Sequence, residues 1–143
     1  MTMSEPAARF GIENLPATPE VDSAETALEQ ARLEAQLAAQ RRVDLMCRQA
    51  ATVLQAADYR QAIPKYNQAL AEAEKIDHRE ATVMVLKGLA HCYYHLGYMQ
   101  VAHRYMGMAE GMSVFTRREE VFYDAIKRKL WDREGRRRRR EGF

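Results

Sequence analysis

Along most of the chain, apolar residues recur at steps of three and four, the spacing that gathers them on one face of an α-helix. From Asp22 or Ser23, either a suitable N-cap, Ala24, Leu28, Ala31, Ala35 and Ala38 form a stripe over an N-terminal helix at residues 21–42. A stripe made mostly of alanine suits close packing against another helix and is too narrow to hold a core alone. The same pattern lets this helix run on through Arg41 and Arg42 into the next. From residue 43 the segments come in pairs: helices over residues 43–56 and 59–76 joined by a turn at Ala57 and Asp58, then residues 80–96, a turn at Gly97, and YMQVAHRYMGMAEGM. Residues 115–134 hold a further amphipathic helix, starting at 117, whose apolar face carries Val121, Phe122, Ala125, Ile126, Leu130 and Trp131. Residues 1–20 contain Pro6, Pro16 and Pro19, lack sustained periodicity and read as a flexible leader. Within it, ARFGIENL reads either as a short docking motif or as solvated tail.

The second paired helix contains the run ADYRQAIPKYNQAL, with Pro64 in its interior. A proline there removes one backbone hydrogen bond and crowds the preceding turn, at a cost of roughly 3 kcal/mol. An internal repeat nevertheless carries the helix across it. Displacing the chain by 40 residues sets Ala90 on Ala50, Tyr93 on Val53, Gly97 on Ala57, Ala102 on Ala62, Met106 on Tyr66 and Ala109 on Ala69. Small residues at close approaches and large ones at interlocking positions, in a fixed period, mark a helical solenoid.

Those residues resemble a tetratricopeptide repeat (TPR). Leu86, Leu89, Ala90, Tyr93, Gly97, Ala102 and Ala109 match one repeat, and Ala57, Asp58, Tyr59, Ala62, Ile63, Tyr66, Ala69 and Leu70 match the turn and second helix of the one before. The 40-residue period and the linker IDHREAT are similar to the longer repeats of kinesin light chain and of spindle-orientation adaptors. Met46, Gln49 and Val53 stand where the family favours Trp, Leu and Tyr. The implied fold is all-α: a short solenoid of two TPR-like helix pairs over residues 43–114, flanked by the N-terminal helix and a C-terminal capping helix. Two repeats fall short of the three or so that such arrays need, so the flanking helices are expected to cap the ends.

Composition agrees with the helical reading, since only seven glycines and four prolines interrupt 143 residues rich in helix formers. No apolar run approaches the ~20 residues that span a bilayer, and the N-terminus lacks the layout of a secretory signal. The expectation is a cytoplasmic protein, with nuclear or cytoskeletal association also open, and no membrane partner. Cys47 and Cys92 fall in helical segments and read as buried, reduced thiols.

No phosphate loop, nucleophile elbow or convincing carboxylate pair is present, so no enzymatic activity, cofactor or small-molecule substrate is expected. His91 and His95 lie one helical turn apart, a spacing that can hold a metal, yet no further ligand accompanies them. The resemblance implies another role, because first helices of TPR pairs line a concave groove. Met84, Lys87, His91, Tyr94 and His95, joined by Asp44, Leu54 and Gln55, would form a strip for a peptide or helix with acidic and apolar residues. The competing reading has that strip covered by the protein's own leader or merely solvated. In the fourth helix Met99 and Met106 read as core, and Met108 and Met112 as candidates for an interface.

Charge is distributed unevenly. Residues 1–40 carry seven acids against two bases, and residues 117–143 eleven bases against six acids. The basic tail over residues 135–143 includes Arg136, Arg137, Arg138, Arg139 and Arg140, a solvated run suited to an acidic protein tail, a nuclear import receptor or RNA. The function expected from the sequence is a non-catalytic adaptor or scaffold within a larger assembly, with an RNA-associated protein docking through its arginines as the alternative.

Overall fold

The computed structural model describes the backbone of residues 19–142, with side chains from residue 22 to residue 142. Five helices account for nearly all of it: α1 (Pro19–Gln55), α2 (Tyr59–Lys75), α3 (Arg79–His95), α4 (Met99–Met112) and α5 (Arg117–Arg140). No strand occurs among the described residues, so the class is all-α. The leader motif ARFGIENL lies outside the described residues.

The chain divides into two compact units, Met1–Ala38 and Ala39–Phe143. In the first, the described part is the start of α1. It begins at Pro19, earlier than the expected Asp22 or Ser23, because proline's fixed φ suits a first helical turn whose N–H has no partner anyway. Every residue from 22 to 38 is exposed, Leu28, Leu33 and Leu37 among them. The helix does not stop at Arg42; one continuous α-helix includes both the expected N-terminal helix and the first paired one.

In the second unit, the same turn occurs three times, joining α1 to α2, α2 to α3 and α3 to α4. Ala57, Asp77 and Gly97, spaced by 20 residues, all adopt left-handed backbone, with φ of 63°, 56° and 90°. The N–H of the residue after each one donates to the carbonyl five residues back: Asp58 to Val53, His78 to Ala73, Tyr98 to Tyr93. The turn residue itself donates to the carbonyl three back, at Leu54, Glu74 and Tyr94. This paired closure satisfies carbonyls that a helix end would leave open. It also makes the next helix start at an identical place, where Ala62, Thr82 and Ala102 are each buried. Asp58 caps α2 by accepting from Gln61, and the carbonyl of Met112 at the end of α4 is met by the Arg79 guanidinium at 3.0 Å.

Two groups of buried side chains form the core. The first joins Val43, Cys47 and Ala50 of α1 to Ala62, Tyr66 and Ala69 of α2 and to Val85, Leu89 and Cys92 of α3. The second joins Ala90 of α3 to Ala102 and Met106 of α4 and to Tyr123 and Ile126 of α5. Burial pushes the Cys92 thiol up to about 11 and Tyr66, which also feels Cys92 and Cys47, up to about 12, so both remain neutral. Pro64 lies inside α2 on an exposed position, and Arg60, whose carbonyl loses its donor, is exposed too.

Helix α5 departs from the sequence expectation twice. Its buried face carries Tyr123 and Ile126, whereas Val121 and Trp131 are exposed, because the stripe Glu119, Tyr123, Ile126, Leu130 steps by four, three and four and leaves both to one side. It also continues to Arg140, so the arginines expected as a tail from residue 135 form its last turns. Cationic side chains are favoured near helix C-terminal carbonyls. Arg139 donates to the Gly135 carbonyl, and Arg137 pairs with Glu141 at 3.4 Å.

Three substitutions test this architecture. A Cβ on Gly88 would stand 2.6 Å from Cε1 and 2.7 Å from Oη of Tyr66. Gly88→Ala is expected to cost about 1–3 kcal/mol in urea unfolding, the range for overpacking a filled core. At the exposed left-handed Ala57, Ala57→Gly relieves backbone strain and should stabilise by roughly 0.5–1 kcal/mol, while Gly97→Ala should destabilise by a similar amount.

Candidate functional site

Around its circumference, α3 is apolar and buried over roughly 220°, leaving a strip roughly 100° wide that carries Met84, Lys87, His91, Tyr94 and His95. Helix α5 lies along one flank of that strip. Lys87 forms an ion pair with Glu119 and places its ammonium 5.4 Å from the centre of Phe115. His91 stacks on Phe122 with ring centroids 3.9 Å apart, and Tyr94 meets the same ring edge-on at 5.2 Å. Lys129 stands 4.4 Å over Tyr94. The sequence is arranged for this start of α5: Thr116 accepts from the Glu119 N–H while the Glu119 carboxylate accepts from the Thr116 N–H, a reciprocal cap that also aims Glu119 at Lys87.

Lys87, His91 and Tyr94 are therefore half-buried, and what covers this flank is α5; the leader lies outside the described residues. The other flank is open. Met84 is 58% exposed, and His95 stacks on Tyr59 of α2 at 4.6 Å. The three residues expected from α1 are dispersed. Asp44 pairs with His78 at 2.9 Å, Leu54 packs on the first core group, and Gln55 is exposed at the helix end. His91 and His95 each stack on a different aromatic ring, and among the described residues no cluster of three metal-ligating side chains occurs.

Electrostatics follow the packing. Burial lowers the His91 pKa, His95 lowers it further, and Glu119 opposes them. For Glu119, burial would raise the carboxyl, but the hydrogen bonds from Lys87 and Thr116 outweigh it and hold the group below its usual range.

A second feature was not read from the sequence. Helix α5 runs opposite to α4: His103 meets Tyr123, Gln100 lies beside Leu130, and the Gly97 turn lies beside Arg133. Continuing the buried stripe of α5 by steps of three and four past Leu130 leads to Arg133 and Arg137. There they line a cavity of about 280 Å³ against the first turn of α4. An adjoining cavity of about 420 Å³, bordered by Lys127, Trp131 and His103, shares Gln100, Leu130 and Glu134 with it. The available signal was arginine at positions 133 and 137, where the stripe calls for apolar residues.

No family model matches the chain, and no curated protein or solved structure matches it either. Among the described residues, no helix is long and apolar enough to cross a membrane.

The buried imidazole predicts a pH dependence. With its folded pKa depressed, His91 binds its proton more weakly in the folded than in the unfolded chain, so stability present above the ordinary histidine value is lost as pH falls through the folded one. Urea midpoints should therefore drop between pH 7.5 and pH 5. His91→Phe, which keeps the stacking on Phe122, should shrink that drop, and an unchanged slope would show that His91 is not its source.

Proposed function

We propose that this protein is a non-catalytic, TPR-like adaptor that acts in the cytoplasm as a subunit of a larger assembly and holds a peptide or helix of a protein partner. The observation carrying this reading is the recurrence of one turn geometry at Ala57, Asp77 and Gly97, which gives successive helices the 20-residue half-period of a two-helix repeat. Repeat scaffolds of this type act through surface, not through a catalytic centre. The strip on α3 supplies such a surface at its open flank, where exposed Met84 and the stacked pair His95 and Tyr59 offer an apolar contact beside polar edges. The flank under α5 is expected to stiffen that surface and not to bind.

A second reading rests on the arginines of residues 136–140, exposed around the end of α5. Successive residues on a helix differ by about 100°, so the five side chains point in all directions and offer charge without a reading face. RNA bound there would be held without regard to sequence and would be released by salt.

The experiment is partner recovery from cell lysate on the immobilised protein, compared with Met84→Glu combined with His95→Glu. Both positions are exposed, so the fold should persist while the specific partner is lost. An identical set of partners from the two proteins would remove the strip from this reading. Neutralising Arg136, Arg138, Arg139 and Arg140 should abolish only weak, salt-sensitive binding to random RNA; loss of the specific partner with those charges would favour the second reading.

A further inference from the structure

We infer that the cleft between the first turn of α4 and the second half of α5 is a docking site for a short acidic peptide that carries an apolar residue between its acidic ones. The inference deepens the adaptor reading by naming a site and a chemistry, and it stands on the two adjoining cavities and not on the α3 strip.

The first argument is positional. Tyr123, Ile126 and Leu130 are the side chains with which α5 packs, and Arg133 and Arg137 follow them on the same face. Both arginines are exposed beyond the packed part of that face, so their charge reaches water or an anion. Arg133 forms no ion pair among the described residues, and Arg137 has only Glu141 at 3.4 Å, on the exposed end of its own helix. Both guanidinium groups are thus available to a carboxylate that enters the cavity. The second argument is the floor. Leu130 is shared by both cavities, buried Met99 and half-buried Val101 line the first, and Trp131, 79% exposed, borders the second. A large aromatic left so open beside an apolar depression suits the capture of one apolar side chain.

The third argument decides between a peptide and RNA. Glu134 borders both cavities, and Gln100 lies opposite it. A carboxylate bordering both cavities repels any anion beside it, so it disfavours a backbone charged at every nucleotide and suits a peptide that places its apolar residue and its N–H groups there, and the glutamine amide can both donate and accept. Acidic side chains on either side would then reach Arg133 and Arg137 at one end and Lys127 at the other. Charge complementarity of this kind steers association and weakens as salt rises.

Trp131 is the single tryptophan of the chain, so its emission reports on the cleft directly. The probe is a labelled 12-residue peptide of alternating Asp and Glu with two leucines near its centre. A Gln/Asn counterpart and a 12-nucleotide oligouridine RNA serve as controls, all titrated against the full chain. The acidic peptide should shift Trp131 emission and bind at least about tenfold more tightly than its neutral counterpart. Arg133→Gln combined with Arg137→Gln should weaken it about tenfold, and Trp131→Ala should weaken it several-fold. Neutralising Arg136, Arg138, Arg139 and Arg140 should change it by less than about threefold, since they lie outside both cavities. Equal affinity for the neutral peptide, a Trp131 shift induced equally by the RNA, or loss that tracks the four outer arginines instead of the inner two would each overturn the inference. If the Met84 and His95 variant still loses its partner when the peptide test fails, only the cleft is refuted; if the peptide binds while partner recovery is unchanged, only the strip is.

Discussion

Helix α3 must be enclosed, and the packing of its neighbours follows from that requirement. Its residues Val85, Leu89 and Cys92 belong to the core group shared with α1 and α2, while Ala90 belongs to the group shared with α4 and α5. A helix buried on two sides needs neighbours at short range, and Ala81, Gly88 and Ala90 provide it by having little or no side chain. At Gly88 the Tyr66 ring lies so close to the backbone that even a methyl group would have to displace it. Once α2 and α4 have closed over the apolar arc, only a polar strip is left for α5. That is why α5 meets α3 through an ion pair, a stacked imidazole and cation–π contacts instead of through aliphatic packing.

The three repeated turns make this enclosure reproducible along the chain. Each reverses the chain with one left-handed residue, and identical hydrogen bonds fix where the next helix begins. Because the geometry is set by backbone, it tolerates Ala57 and Asp77 in place of glycine at a modest cost in strain. The connection to α5 is of another kind: Ser113 is extended, and Thr116 and Glu119 start the helix by side-chain capping. That change of linker falls where the packing also changes from apolar to mixed.

Much of this was legible in the sequence because it is local. The turns at Ala57 and Gly97, the helical periodicity across Pro64, and the small residues Ala50, Ala62, Ala69, Ala90, Ala102 and Ala109 as core all depend on spacings within one or two helices. What escaped is long-range or amphipathic. That Lys87 meets Glu119 follows from 32 residues of intervening geometry, which periodicity does not encode. Tyr123 is absent from the apolar face expected of this helix because it is amphipathic: in the fold its ring is buried while its hydroxyl lies 3.5 Å from His103. The arginines at 136–140 read as a solvated tail because like charges repel. At a helix C-terminus the carbonyls and Glu141 offset part of that repulsion, and the helix persists to Arg140.

The cleft escaped for a related reason. A charged residue in a sequence is ordinarily assigned to solvent, so Arg133 and Arg137 merged with the basic run around them. Only the register of α5 separates them from it. The stripe through Tyr123, Ile126 and Leu130 aims at α4, and α4 comes to its first turn just where the stripe reaches Arg133. Arg133 and Arg137 are both exposed as they pass that first turn, where an arginine can lay its stem along the cavity wall and keep its charge in solvent. The end of α4 thus coincides with the place where α5 changes from apolar to basic. Exposed Trp131 and the Leu130 shared by both cavities give this part of α5 an apolar floor, which a merely solvated helix end lacks.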